Sequence, residues 1–487
     1  WPPGHRSGPP PGPPPTAGPF FFFFFFSLFL ISQFSLIFCS LKFKFYQMAS
    51  SVSKVPLLQT LAKRTFAAAA APKAAGCKAT VEVSTLPNKA IVTSLGCGPK
   101  PFVQVAVAFR AGSRNECSEN YGASHLLRSS AGLSTCGASS FYICRSLQQI
   151  GASLTATSDR ETIVYVLESS ASKINEGLDI LKKAITGQEF RPWELSDNVS
   201  RIKVELASLP PQAKVIDLIH TAAFRSGLGN SIFVKEFNIK KLSSETLKHY
   251  AATYLTGDKA VIGGCGLPHS RLSHFADSLG LCAGSVGAIP ASKYRGGEIR
   301  VEENIPLHHT IIAAEAPSLD KSEALAYAVL RYALGTGPSV YRGTGSGPLA
   351  KVSGHQVTAQ ALSMAHSDAG LFGIYVSSPG YCAKEVVEGA VKVLKGGVTD
   401  QDVARGKAQL KAALLYSSES CRGLVDDLVG QALLIQGAPP KTTADLAEEV
   451  SSVTTQQVQQ ALQKVQSGKK SIASVGSVGK VPYLDEL

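Results

Sequence analysis

The chain has 487 residues, 44% of them hydrophobic and 17% charged, with 48 Lys and Arg against 36 Asp and Glu and a formal net charge of +12. That is the composition of an ordinary globular protein long enough for two or three domains with sizeable cores. The positive balance raises nucleic acid as a partner, but no block of Lys and Arg interleaved with aromatics occurs, so nucleic-acid binding is set aside. The ten cysteines include no C-x-x-C pair, which excludes a cysteine-type structural zinc site and a thioredoxin-like motif and suits free thiols in a reducing compartment.

Residues 1–47 begin at Trp1 and run from a Pro-rich stretch into seven consecutive phenylalanines, Phe20 to Phe26. Phe20 to Phe43 is long and apolar enough to pass for a membrane span or signal anchor. The first Met is Met48, so 1–47 reads as a conceptually translated untranslated tract and takes no part in the fold argument. From Met48 the chain carries Lys54, Lys63, Arg64, Lys73 and Lys78 with no acid before Glu82, and Leu57, Leu58, Leu61 and Ala62 recur at helical spacing. Residues 48–79 therefore read as a mitochondrial presequence.

An N-terminal domain is expected over 80–282. Thr80 to Leu95 predicts two strands joined at Pro87-Asn88, and Phe102 to Phe109 a third. A helix over 121–134 follows, with Ser124 as its N-cap, then a helix over 139–151 closed by Gly151 and a strand from Thr162 to Leu167. Ile174, Leu178, Leu181 and Ile185 form one stripe of a helix at about 171–186. Further helices are expected at about 192–208, 212–227 and 243–254, then a strand from Lys259 to Cys265. Residues 283–297 are a linker by composition. The rest, 298–487, repeats the plan: His309 to Ala316 stands where Val103 to Ala111 stands, a helix at 321–334 matches the one at 121–134, and a strand at Ala369 to Ser378 leads into a helix at about 382–395. Strands mixed with helices in this manner predict an α+β fold of two homologous domains, each a mixed or antiparallel sheet packed with helices.

The stretch around Tyr121-Gly-Ala-Ser-His125-Leu-Leu-Arg128-Ser129 carries the chemistry. An inverted zinc-peptidase helix bears H-x-x-E-H, two imidazoles on one face with a general-base Glu beside them. Here His125 holds the first position, Arg128 the Glu position and Ser129 the second His position. One imidazole does not hold a catalytic zinc, and a guanidinium takes no proton from water at neutral pH. No catalytic, metal or cofactor-binding residue is therefore assigned.

With AGSRNE (Ala111 to Glu116), GASHLLR (Gly122 to Arg128), GASSF (Gly137 to Phe141), YRGGEIR (Tyr294 to Arg300), SDAGLFGIY (Ser367 to Tyr375) and the terminal Asp485-Glu-Leu487 in place, the chain from about residue 80 resembles the inverted-zinc-motif processing peptidases. It is closer to the branch that supplies core subunits to the mitochondrial cytochrome bc1 complex. That resemblance implies two bowl-like domains around a cavity and a non-catalytic role in ubiquinol–cytochrome c reductase. It also implies a heterodimer with core protein 1, contacts with cytochrome b, cytochrome c1 and the Rieske subunit, and a peripheral place on the matrix side of the inner membrane. The alternative it leaves open is the non-catalytic, presequence-binding subunit of a processing-peptidase heterodimer. Active relatives take a third zinc ligand from a Glu on a helix some seventy-odd residues downstream; Glu194 and Glu205 both fall on the expected helix, and either reads more readily as a structural carboxylate.

The glycine-rich run holding Gly335, Gly337, Gly343, Gly345 and Gly347 has no phosphate-loop pattern. In the resembling family such a loop contacts presequences, so it is carried as a peptide-contacting candidate beside its reading as a structural loop. His308-His309 and the His269/His274 pair lack the spacing to share a metal. Asn198-Val-Ser200 matches a glycosylation acceptor inside a predicted helix and is read as chance. The terminal Leu-Asp-Glu-Leu resembles an endoplasmic-reticulum retrieval signal without its basic first residue.

Overall fold

A computed structural model describes residues 80–96, 101–284, 290–337, 345–354, 356–435 and 439–487. Residues 1–47, the expected presequence 48–79, Gly343, residues 285–289 of the expected linker and Cys39, Cys77 and Cys97 lie outside these described residues.

The first half runs β1 (Thr80–Thr85), β2 (Ile91–Gly96), β3 (Phe102–Phe109), α1 (Ala123–Ser129), α2 (Ser140–Ile150), β4 (Ser153–Ser158), β5 (Ile163–Ser170), α3 (Ile174–Thr186), α4 (Pro192–Ala207), α5 (Pro211–Phe224), α6 (Ser244–Tyr254), β6 (Ala260–Cys265) and α7 (His269–Ser278). The second runs β7 (Glu298–Glu302), β8 (Leu307–Ala316), α8 (Glu323–Leu334), β9 (Thr358–Ala365), β10 (Gly370–Pro379), α9 (Ala383–Lys395), α10 (Asp400–Glu419), α11 (Cys421–Leu434), α12 (Thr443–Ser452), α13 (Thr455–Ser467) and β11 (Lys470–Gly476).

Caps behave as the sequence signals dictate in most places. Ser139 accepts the Tyr142 N–H at 3.2 Å, and Gly151 ends α2 at φ 66°. Pro210-Pro211 separates α4 from α5. The helix expected over 121–134 is shorter than its pattern, only Ala123–Ser129, and Ser124 is not its N-cap. The chain enters α1 through Gly122 at φ 94°, where a Cβ would lie 2.4 Å from Val234 Cγ2. Strand β4 escapes the sequence pattern because SLTATS is polar and lies at a sheet edge.

The strand orders are β1-β2-β6-β3-β5-β4 and β7-β11-β8-β10-β9. In each sheet one pair is parallel, β2 with β6 and β7 with β11, and the remaining pairs are antiparallel. Without β1 the two orders correspond strand for strand, so the chain is a duplicated α+β fold.

Each sheet is buried on both faces, and strand alternation sorts its residues between two cores. In β3, Val103, Val105, Val107 and Phe109 face the helices of the first half, while Ala106 and Ala108 face Val425, Leu428, Val429 and Ala432 of α11 from the second half. In β8, Ile312, Ala314 and Ala316 face the second half's own helices, while Ile311 and Ala313 face Val215, Ile219 and Ala223 of α5 from the first half. The halves thus exchange one helix each. Strand β10 is buried along its whole length, which is why GLFGIYV reads as a continuous apolar run.

A polar seam joins the halves beside these helices. Arg114, 7% exposed at its side chain, donates to Glu161 Oε1 at 2.6 Å and to Ser367 Oγ and Asp368 across the seam. Asp368 also accepts the Ser292 N–H at 2.7 Å, and Glu161 accepts the Ser367 N–H at 2.9 Å. Arg160, 1% exposed, pairs with Asp217 of α5 at 2.8 Å. The segment Tyr294 to Arg300 is pinned nearby, with Arg295 N donating to Ala223 O at 2.8 Å and Tyr294 OH to Lys469 O at 2.8 Å.

A Cβ on Gly263 of β6 would lie 2.2 Å from Val429 Cγ2 of the exchanged α11. Gly263→Ala is therefore expected to push α11 off its sheet and to cost about 1–3 kcal/mol, read as a lowered urea midpoint.

Candidate functional site

The site is built where α1 faces α4. Entry to α1 is set by Glu116, a buried carboxylate whose Oε2 accepts the Gly122 N–H at 2.7 Å and whose Oε1 accepts the Ser124 N–H at 2.8 Å and hydroxyl at 2.6 Å. The capping function expected of Ser124 is thus performed by Glu116, eight residues upstream, because Ser124 itself is already helical. Burial pushes the Glu116 carboxyl above its ordinary value despite those three donors. The 111–116 segment is itself fixed: Tyr250 OH donates to Ala111 O at 2.8 Å, and Asn230 Nδ2 to Ser113 O at 3.0 Å.

His125 is fully buried. Its Nδ1 accepts the Val234 N–H at 3.2 Å, so the neutral ring carries its proton on Nε2. That Nε2 faces Glu205 Oε1 of α4 at 3.5 Å. Glu205 is also the ion-pair partner of Arg128, one helical turn beyond His125. Burial and the Arg128 charge hold the His125 pKa below its ordinary value, which keeps the ring neutral at physiological pH. Burial alone would raise the Glu205 carboxyl, but the Arg128 hydrogen bond and charge, with His125, outweigh it and hold it below the usual range.

Ser129 lies further along the same helix. It accepts from Asn198 Nδ2 at 2.9 Å, and Arg201 Nη2 donates to its carbonyl at 3.0 Å. Asn198, Arg201 and Glu205 recur at i, i+3 and i+7, one face of α4. The structure therefore brings His125, Arg128 and Ser129 against Glu205, Arg201 and Asn198. Of the two carboxylates open on sequence, Glu205 joins the site. Glu194 instead accepts from Ser134 N at 3.0 Å and from Ser134 Oγ, at the other end of α4. Sequence reasoning did not find Arg201, Val234 or the role of Asn198, which stood there only as part of a chance glycosylation-acceptor match.

Among the described residues no group of three or more His, Cys, Asp or Glu could hold a metal ion. The equivalent helix of the second half, α8, offers no counterpart: Gly406 of α10 lets the two helices approach so closely that a Cβ there would lie 2.8 Å from Ala333 N. The glycine-rich candidates Gly335, Gly337, Gly345 and Gly347 form the exit from α8. Gly335 (φ 124°) and Gly347 (φ 103°) cross where Cβ atoms would meet Ser346 O at 2.5 Å and Leu334 O at 2.6 Å. His308 and His309 point to different partners, Ser378 O and Tyr375 OH.

With this geometry in place, the comparisons with known proteins fall on one family. The family model of insulinase, peptidase family M16, matches residues 92–236, and that of the peptidase M16 inactive domain matches residues 241–410. The chain belongs to the M16 peptidase family. It is 34% identical over 419 residues to mitochondrial cytochrome b-c1 complex subunit 2 of Mus musculus, covering 84% of this chain and 92% of the relative. The Homo sapiens protein of that name is 32% identical with the same coverage. Probable mitochondrial-processing peptidase subunit alpha-1 of Arabidopsis thaliana is 28% identical over 375 residues, 73% of this chain and 74% of the relative.

Replacing Arg128 with Ala leaves Glu205 without its ion-pair partner in a half-buried site and is expected to cost about 1 kcal/mol at neutral pH. A depressed carboxylate contributes stability that is present above its unfolded value, about 4.3, and lost as pH falls through its lower folded value. The gap between the natural chain and Arg128→Ala in thermal unfolding should therefore close as pH falls below that range.

Proposed function

We propose that this chain is the second core subunit of mitochondrial ubiquinol–cytochrome c reductase, respiratory complex III, and that it supports assembly and stability of the complex without peptidase activity. The observation that carries the reading is the likeness to subunit 2 proteins across 92% of their length. The processing-peptidase relatives, which favour the presequence-binding alternative, match at 26–28% identity over a smaller share of the chain.

The non-catalytic reading is supported by the donor set at the site, which does not fit a zinc ion. It consists of one imidazole and one carboxylate, with a guanidinium already on the carboxylate. The Val234 N–H holds the imidazole in the tautomer whose Nε2 carries a proton rather than a free lone pair. The Glu position of the inverted motif holds Arg128, which cannot serve as a general base. His125, Arg128 and Ser129 are accordingly read as a degenerate motif turned into a helix-to-helix polar contact.

The reading extends to partners: a heterodimer with core protein 1 and contacts with cytochrome b, cytochrome c1 and the Rieske subunit, on the matrix side of the inner membrane. No helix among the described residues is long and apolar enough to cross a membrane. No haem, iron–sulfur cluster or quinone is assigned to this chain, in keeping with the absence of C-x-x-C-H and cluster-type cysteine spacing from its sequence. We divide the chain into a presequence at 48–79, a first domain at 80–282, a linker at 283–297 and a second domain at 298–487. The sheets lie within those domain limits, and α5 and α11 reach across them. The glycine-rich loop is assigned a backbone-crossing role, with peptide contact as its alternative.

A native pull-down of the tagged mature chain from solubilised mitochondria tests this. Recovery of cytochrome b, cytochrome c1 and core protein 1, with no zinc on this chain, is expected. Recovery of a zinc-bearing peptidase subunit alone, with presequence cleavage in the eluate, would overturn the assignment.

A further inference from the structure

Two cations meet at one end of the first sheet, and one of them lacks a hydrogen-bond partner. Arg110 follows β3 and Lys259 precedes β6, and the Arg110 N–H donates to the Lys259 carbonyl at 3.1 Å. Lys259 is 8% exposed, and its buried Nζ makes no hydrogen bond. The Tyr254 ring centroid lies 4.4 Å from that nitrogen, which steadies the charge but leaves its N–H donors unused. Arg110 is half-buried and gives an N–H to the Leu433 carbonyl of α11. The adjacent acid, Asp258, accepts from the Thr256 hydroxyl at 2.6 Å. Burial lowers the Lys259 pKa; Asp258 opposes that shift and Arg110 adds to it. A buried ammonium without an acceptor is costly, because its hydration is given up and nothing replaces it.

Both cations line a cavity of about 430 Å³ between the first sheet and the end of α11. Asp258 is the one acid lining it among the described residues, so two cations stand against one carboxylate. The rest of the wall is mostly apolar side chains, among them Val83 of β1, Ile91 of β2, Val261 of β6 and Leu433 of α11. That combination selects a ligand. A nucleotide polyphosphate brings more negative charge than the surplus cation balances, and a phosphate monoester also exceeds a single charge at neutral pH. Inorganic phosphate leaves the apolar wall uncovered, and a two-chain lipid is too large for the volume. A carboxylate on a single apolar chain meets the surplus charge and the wall together.

We propose that this cavity is a binding site for an amphipathic carboxylate, with its head against Lys259 and Arg110 and its chain along Val83, Ile91 and Val261. The flexible lysine stem lets Nζ leave the Tyr254 ring to meet the head. The walls come from both halves of the chain, so the bound ligand ties the end of α11 to the sheet and stabilises the fold by mass action.

Calorimetric titration of the full chain with octanoate at neutral pH tests this, with octanol as the uncharged probe and inorganic phosphate as the probe without a chain. Octanoate is expected to saturate a single site and to bind about tenfold tighter than either control, because each control forfeits one half of the interaction. Lys259→Met keeps the stem that packs beside Tyr254 and loses the charge. It should weaken octanoate about tenfold and leave octanol unchanged. Should that variant fold poorly, Val83→Trp gives a second reading: it fills the cavity from the edge strand β1, at a position 43% exposed, and should remove octanoate binding while the thermal midpoint of the unliganded chain stays unchanged. Octanoate that binds no tighter than octanol, equal octanoate affinity in the natural chain and either variant, or the absence of saturable binding would each overturn the proposal.

Discussion

The exchange of helices between halves is the constraint on which the rest of the molecule depends. A sheet in an α+β fold must bury both faces or leave one polar, and these two sheets bury both. Each half supplies only enough helices for one face of its own sheet. The second face is closed by α5 in one direction and α11 in the other, so Val215 and Ile219 belong to the second half's core as Val425 and Val429 belong to the first's. Neither core is complete without the other half of the chain. The small residues at the contacts, Ala106, Ala108 and Gly263 under α11 and Ala313 under α5, follow from helices lying flat on strands.

That dependence explains why the polar seam is placed where it is. Arg114 and Glu116 stand two residues apart in one fixed segment. Arg114 reaches across to Asp368, and Glu116 turns inward to cap α1. The same backbone therefore sets the register between halves and the entry of the helix bearing His125. A buried ion pair contributes less to net stability than its charges suggest, because both groups give up hydration. What Arg114 with Glu161 and Asp368 supplies is a single permitted alignment, since any other leaves buried charges unpaired.

Much of this was legible in the sequence, and what was not has physical causes. The strand at Phe102 to Phe109 and the stripe of α3 are visible because their periods match one-sided burial or full burial. The repeat was readable as an order of elements, and the structure turns it into matching strand orders. The length of α1 was not readable, because Leu126 and Leu127 continue a helical pattern that the chain abandons after Ser129. Its cap was missed because Glu116 acts from outside the helix, where no local signature exists. Choosing between Glu194 and Glu205 needed the direction of α4, which spacing alone did not give. The helix exchange was invisible because α5 and α11 have ordinary apolar faces that do not say which sheet they cover.

The state of the site follows from the same reasoning about burial. A carboxylate on α4 facing an imidazole on α1 needs positive charge between or beside the two. In an inverted-motif peptidase a metal ion would supply it; here the Arg128 guanidinium does. A guanidinium is a fixed charge that neither exchanges nor depends on metal supply, and it welds the two helices where a hydrolase would keep an open coordination position. The Val234 N–H completes the change by fixing the His125 tautomer. In the second half the matching helices need no such charge, because Gly406 lets α10 and α8 close directly on one another. Both halves have thus closed the groove between these helices, one through a guanidinium and the other through close packing.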